Sequence, residues 1–360
     1  MQQTQIIDQA VKTLAAGGLI IFPSETTYGA GVDATNQAAV DKLLAYKARR
    51  EGKPLSIAVS SQVEAEKYVK LNSHAKSFYQ KFLPGPYTII SEGRHKLAQG
   101  VESEFGTLGV RIPDYELLLK ILRKFDKPIT ATSANASDKK RPYEIEDILN
   151  NISAKQRKLI DFMIDVGKLP TNEPSTIIDT TLSTPVVLRQ GNINQKSKDR
   201  KFSVSTQVVL NSHSEAETKS IAGKICLQHW NQIKKTSLVI GLDGELGAGK
   251  TIFAKGVAEF LQIREPITSP TYTYVREYDF KRHGVVGKLF HLDAWKVESE
   301  ADLKNLGFFD MLRANNVIVV EWWSQIERLL TSPPAPLLCV SIETDLRRGE
   351  QGVRFLKIKN

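Results

Sequence analysis

Gly244-Glu245-Leu246-Gly247-Ala248-Gly249-Lys250-Thr251 has residue types and a spacing suited to holding nucleotide phosphates. It fits G-x-x-x-x-G-K-[ST], in which backbone N–H groups and a helix N-terminus wrap the phosphates. In that pattern Glu245, Gly247, Ala248 and Gly249 form the cradle, Lys250 reaches the outer oxygens and Thr251 takes Mg²⁺. A glycine-rich string can arise by chance in a loop, so the flanks decide. Upstream, 238–242 is the short apolar run of a buried strand; downstream, Phe253, Val257, Phe260 and Leu261 recur at helical spacing. Further on, the apolar run 317–320 ends in Glu321. An acid there suits a Mg²⁺- or water-orienting carboxylate, with a plain surface acid as the alternative. His291-Leu292-Asp293 closes another expected strand.

The first half has a different set. Residues 23–31 form a polar loop after the apolar strand 19–22, and open α/β sheets build ligand crevices at such strand ends. Lys47 and Arg49 close a helix starting near Asn36. Side chains two apart do not share a helical face, so for both to serve one anion the helix must end or fray there. A solvated basic helix end accounts for them as well. Ser133 and Asn135 leave the end of the strand expected at 129–132 and, on extended backbone, point the same way.

The elements that must position these groups alternate. A helix over 4–16 puts Ile6, Ile7, Ala10, Val11 and Leu14 on one face and stops at Gly17-Gly18. Strands follow at 55–59, 87–91, 108–112, 129–132, 175–179 and 186–190, with helices at 62–69, 74–82 and 115–125. Residues 192–201 are polar, with four cations against Asp199, and read as a linker. Beyond it come a strand at 204–210 and a helix from 212 to about 230, for which Ser212-His213-Ser214-Glu215 fits a capping box. Alternation of strand and helix argues for an α/β fold in two domains, 1–193 and 204–360, joined by 194–203.

The 360 residues carry 49 Lys and Arg against 40 Asp and Glu, a net +9 compatible with nucleotide or RNA partners or with a basic, non-binding surface. Two distant cysteines, Cys226 and Cys339, argue against a disulfide framework or zinc site, and Cys226 is expected in the core. No apolar run approaches the roughly 18 residues of a membrane helix. Met1–Gln5 lacks the features of a secretory signal, so a cytoplasmic protein is expected.

The first half resembles the threonylcarbamoyl-AMP synthase family of the TsaC/YrdC type. The matching pieces include 23–31, Lys47-Ala48-Arg49 with Lys53-Pro54-Leu55, 84–88, 107–113, Ser133-Ala134-Asn135, 175–179 and 188–191. The resemblance implies a twisted YrdC-like α/β domain that converts L-threonine, bicarbonate and ATP into threonylcarbamoyl-AMP and pyrophosphate. It places Lys47, Arg49, Lys53 and Arg189 on the phosphates, and Thr107, Ser133 and Asn135 as neutral hydrogen-bond partners. It places Arg111 on threonine's carboxylate, with Thr26 and Ser175 nearby. Ser24, Thr27 and Ala58 depart from the family's usual Thr, Val and His.

The second half resembles TsaE, the small P-loop ATPase of the same tRNA-modification pathway, through its glycine loop, 269–273, 291–295 and Glu321-Trp322. That resemblance implies a P-loop NTPase-like fold, puts Thr251, Asp293 and Glu321 around Mg²⁺, and places Thr271 in a switch-like segment. Glu245 and Ile252 replace the usual Asp and Thr. Together the halves imply synthesis of N6-threonylcarbamoyladenosine on tRNA, with TsaD and TsaB as partners and tRNA contact by the basic surface. A carbamoyl-adenylate maturation factor, or a tRNA-binding scaffold with inactive sites, are the alternatives.

Overall fold

The computed structural model describes residues 2–47, 54–135, 140–181, 185–189, 191, 207–270, 273–332, 334, 337–345 and 353–359. The chain divides into two compact units, one holding residues 1–181 and 185–201, the other 182–184 and 202–360. The expected linker lies outside the described residues.

The N-terminal unit is organised on β1 (Ile20–Phe22), β2 (Gly29–Gly31), β3 (Ser56–Ala58), β4 (Val69–Lys70), β5 (Tyr87–Gly93), β6 (Thr107–Arg111), β7 (Ile129–Ser133), β8 (Phe162–Met163), β9 (Thr176–Asp179) and β10 (Val186–Arg189). They pair in the order β10-β9-β5-β6-β3-β7-β2-β1-β8, with β4 beside β5. Alternation along β1 shows why helices cover both faces. Ile20 and Phe22 join Leu14, Leu118 and Ile121 of the helices Gln3–Ala15 and Glu116–Phe125. Leu19 and Ile21 point to the other side, among Val40, Leu43 and Tyr46 of the helix Gln37–Lys47.

This sheet is mixed: β3–β6, β5–β9 and β1–β8 run parallel, while β1–β2, β2–β7, β3–β7 and β5–β6 run antiparallel. Part of the expected loop 23–31 is therefore strand β2. The helix expected at 62–69 shortens to Gln62–Ala65, because Val69 pairs with Gly93.

The C-terminal unit holds β11 (Gln207–Ser212), β12 (Leu238–Asp243), β13 (Val275–Arg282), β14 (Val285–Asp293), β15 (Val317–Glu321), β16 (Leu337–Asp345) and β17 (Val353–Lys359), in the order β11-β17-β16-β12-β15-β14-β13. β12 is parallel to both neighbours, and its Leu238, Val239, Ile240 and Leu242 are fully buried, as a strand covered on both faces requires. The helix expected from 212 instead runs Glu215–Ile233 and is capped by Ser214, which accepts from the Glu217 amide. Ser212 stays in β11 opposite Arg354, so pairing with β17 overrides the local cap signal. Cys226 is buried in that helix, and burial pushes its thiol up to about 12. Among the described residues no helix is long and apolar enough to cross a membrane.

Candidate functional site

Each unit gathers its own set of polar groups. In the N-terminal unit Lys47 is the last residue of the helix Gln37–Lys47, yet it is only 4% exposed. Its Nζ donates to the carbonyls of Ser133 (2.6 Å) and Asn135. The hydroxyl of neighbouring Tyr46 donates to the Ala134 carbonyl. A solvated basic helix end is ruled out for Lys47, because burying an ammonium needs this many acceptors. The structure joins Lys47, Ser133 and Asn135 through main-chain carbonyls, which fixes the end of β7 and the residues that follow it. Register adds Thr107. Gly109 pairs with Ser56 and Ser56 with Ala131, so Thr107 and Ser133, two residues further in each strand, leave the sheet at the same end. Arg49 and Lys53 lie outside the described residues.

A second group surrounds Arg111. Its Nη2 lies 2.5 Å from Glu25 Oε1 and 3.5 Å from Thr26 Oγ1. Arg111 Nε and Glu25 Oε2 are buried and have no hydrogen-bond partner among the described residues. The loop carrying Glu25 is fixed by its own side chains. Ser24 Oγ donates to the Thr27 carbonyl (2.7 Å) and lies 3.1 Å from Thr26 Oγ1, while the Thr27 hydroxyl donates to the Pro142 carbonyl. Arg189 donates from Nε to the Ser175 carbonyl (3.0 Å) and from Nη2 to the Ser175 hydroxyl (2.9 Å), and that hydroxyl lies 3.2 Å from Thr88 Oγ1. Partial burial, with the cations Arg141 and Arg111 nearby, pushes the Arg189 guanidinium down to about 10, although the residue as a whole keeps an exposed face. Three guanidiniums so arranged favour an anion among them. Glu25 and Arg141 were not singled out in the sequence; Glu25 could have been, as the one acid in 23–31.

In the C-terminal unit Gly249 caps the helix Lys250–Phe260, whose Phe253, Val257 and Phe260 are buried as their spacing required. Lys250 Nζ donates to the carbonyls of Gly244 (2.8 Å) and Glu245 (2.9 Å) and sits 3.9 Å from the ring centre of Trp322. Burial lowers its pKa, against the opposing pull of Glu321, Asp293 and Asp243. The Ala248 amide closes the loop on the Glu245 carbonyl, and Leu246 stands 92% exposed at its tip. Thr251 donates to Glu321 Oε1 (2.8 Å), so Glu321 is a buried partner of the loop rather than a surface acid. Parallel pairing of β14 with β15 places Asp293 level with Glu321. Fully buried His291 brings Nε2 to 2.8 Å from the same Glu321 oxygen, while its Nδ1 has no partner among the described residues. Sequence reasoning assigns His291 no role, although residues 291 and 293 of a strand share a face. Thr271 lies outside the described residues.

These donors fit Mg²⁺. A hydroxyl and two carboxylates are hard oxygen ligands, and Mg²⁺ is usually completed by water and substrate phosphates rather than by an all-protein cage. Among the described residues no group of three or more His, Cys, Asp or Glu side chains is placed to hold a metal ion by itself.

Comparison with known proteins agrees with this division. The Sua5/YciO/YrdC family model, described as telomere recombination, matches residues 12–191. The chain belongs to the Sua5/YciO/YrdC family. A second family model, threonylcarbamoyl adenosine biosynthesis protein TsaE, matches residues 212–351, so the C-terminal half carries a TsaE domain. A threonylcarbamoyl-AMP synthase of Vibrio campbellii is 30% identical over 190 residues, covering 51% of this chain and 98% of that protein. One of Bacillus subtilis is 30% identical over 192 residues, covering 53% of this chain and 54% of its own length. The solved structure of P. abyssi Sua5 complexed with L-threonine superposes with a TM-score of 0.50 at 19% identity, over 89% of each chain, a likeness of fold alone.

Proposed function

We propose that the chain is a bifunctional protein of tRNA N6-threonylcarbamoyladenosine synthesis in the cytoplasm. Its N-terminal unit makes threonylcarbamoyl-AMP and pyrophosphate from L-threonine, bicarbonate and ATP. Its C-terminal unit binds and hydrolyses ATP, with Mg²⁺ held by Thr251, Asp293 and Glu321, in support of a transfer to tRNA carried out by TsaD with TsaB. The observation that carries the synthase reading is the bond between Arg189 and Ser175, with Arg111 alongside. With Arg189 on the phosphates and Ser175 beside threonine, as the family resemblance implies, this bond supports substrates that adjoin as their joining requires.

In this reading Arg111 takes threonine's carboxylate, with Thr26 and Ser175 beside it. The amine forms an N–C bond to the carbon of bicarbonate, whose C–O bond breaks to release water, and the resulting carbamate presents an oxygen to the α-phosphorus of ATP. A new P–O bond forms as the bond to the β-phosphate breaks, and the electron pair leaves with pyrophosphate. Arg189, Arg49 and Lys53 neutralise the charge. Lys47 holds the strand end from which Ser133 and Asn135, with Thr107 at the same end, hydrogen-bond the nucleotide. The proton released when the amine is carboxylated passes to solvent, and positioning and charge neutralisation do most of the work in the transfer to phosphorus.

The test is incubation with threonine, bicarbonate and ATP, followed by mass spectrometry for threonylcarbamoyl-AMP. Absence of product, with pyrophosphate release at background, rejects the synthase reading. For the C-terminal unit, orthophosphate release and modified tRNA are measured with TsaD and TsaB added. An ATP turnover and tRNA yield indifferent to Lys250→Ala reject the ATPase role.

A further inference from the structure

Arg354 reaches the phosphate loop from β17, outside the eight-residue motif. β17 is paired on both sides, with Arg354 opposite Ser212 of β11 and Thr344 of β16, so its backbone position is fixed. A Cβ built on Gly249 would stand 2.9 Å from Arg354 Nε and 3.2 Å from its Cδ. The side chain therefore packs directly against the residue that caps the helix Lys250–Phe260. Gly249 has φ 108°, and its missing side chain is what leaves room for the arginine. Arg354 Nε is buried and has no hydrogen-bond partner among the described residues.

A guanidinium N–H buried without an acceptor is unfavourable. Here it is worse placed still, because Lys250 and the positive end of the helix Lys250–Phe260 occupy the same neighbourhood. A polyanion on the loop would relieve all three at once. We propose that Arg354 is a phosphate-binding residue of the C-terminal unit, contributing a guanidinium from the same chain to the polyphosphate of a nucleoside triphosphate. The assignment rests on reading this unit as an ATP-binding domain. Arginine suits the task because its planar fork gives charge-assisted, directional bonds to phosphate oxygens, which a glutamine of similar reach cannot supply.

The full-length chain is titrated with mant-ATP and mant-AMP, reading energy transfer from tryptophan, since all four tryptophans (Trp230, Trp295, Trp322 and Trp323) lie in this unit. The part of the signal removed by Lys250→Ala defines binding at the loop. Arg354→Gln is expected to weaken mant-ATP at the loop about tenfold while changing mant-AMP much less, with Arg354→Lys in between. Its melting temperature and threonylcarbamoyl-AMP synthesis should match the parent chain. If no signal in the parent chain depends on Lys250, the ATP-binding reading itself fails. If the loop binds mant-ATP and Arg354→Gln binds it equally well, only the Arg354 assignment fails. Equal weakening of mant-ATP and mant-AMP together with a lowered melting temperature also overturns it, by showing that the arginine acts through packing.

Discussion

Arg111 and His291 each make one strong contact and keep a second polar atom buried and unused. Leaving such an atom unpaired costs about 1–3 kcal/mol, so it marks where a ligand or neighbour gains most by arriving. For Arg111 the free Nε and the Nη2 shared with Glu25 form the side-on edge that a carboxylate grips with both oxygens. Arg111→Lys keeps the charge and loses the fork. The Michaelis constant for threonine should then rise about tenfold or more with that for ATP little changed, read from pyrophosphate release. An unchanged threonine constant would place the carboxylate elsewhere. His291 acts on Glu321, which also holds Thr251. On the proposal that Glu321 binds Mg²⁺, removing the side chain that orients it should cost about 10- to 100-fold. His291→Ala should therefore raise the Mg²⁺ concentration needed for half-maximal ATP hydrolysis by about that factor. A loss of activity with the Mg²⁺ dependence unmoved would show that His291 is structural only.

At the scale of elements, the phosphate loop is held by what its helix rests on. A Cβ at Gly256 would stand 2.5 Å from Lys219 Cα, 2.6 Å from the Lys219 carbonyl oxygen and 2.9 Å from Ala222 Cβ. Two of these are backbone atoms of the helix Glu215–Ile233 and cannot swing away, so Gly256→Ala must push the helices apart. Overpacking of this kind costs about 1–3 kcal/mol, visible as a lower urea midpoint, and the shift should carry into weaker nucleotide binding because the displaced helix begins at the loop. A midpoint equal to the parent's would mean the two helices are not held at this distance in solution.

The same helices show what the sequence could reveal. Phe253, Val257 and Phe260 spell out the inner face of Lys250–Phe260, and the apolar runs of β12 and β15 announce buried strands, because both signals are local. The start of Glu215–Ile233 was not legible, since Ser212/Glu215 and Ser214/Glu217 fit one capping pattern. The choice between them is made by β17, more than 130 residues later. β8 escaped for a similar reason. It is two residues long, and its place beside β1 is secured by the neighbouring Asp161 carboxylate, which accepts from the Leu19 amide at 2.6 Å. In the sites, motif residues were legible, whereas Glu25, Arg141, His291 and Arg354 gain their meaning from partners distant in the chain.

On the scale of the whole molecule, each of the two units carries its own set of residues proposed to handle a nucleotide, and the hydrogen bonds described for each set join residues of that unit. The two proposed reactions would release different products: pyrophosphate from the synthase chemistry, orthophosphate from hydrolysis at the glycine loop. This permits a crossed test on one full-length chain. Lys47→Ala strips the Ser133 and Asn135 carbonyls of their buried ammonium, so the strand end that presents the hydroxyl and amide loses its anchor. Threonylcarbamoyl-AMP formation should fall by about 100-fold or more, while orthophosphate release measured without threonine and bicarbonate stays at the parent level. Lys250→Ala should do the reverse, because its contacts are to the Gly244 and Glu245 carbonyls and the Trp322 ring, all within the second unit. Lys47→Met, which fills the space without the charge, separates loss of chemistry from loss of packing: it should be as inactive in synthesis as Lys47→Ala while melting closer to the parent chain. If either lysine substitution silences both products in a chain that still melts cooperatively at the parent temperature, the two sites do not work independently, and the hydrolysis at the loop must then be coupled to the synthase step itself.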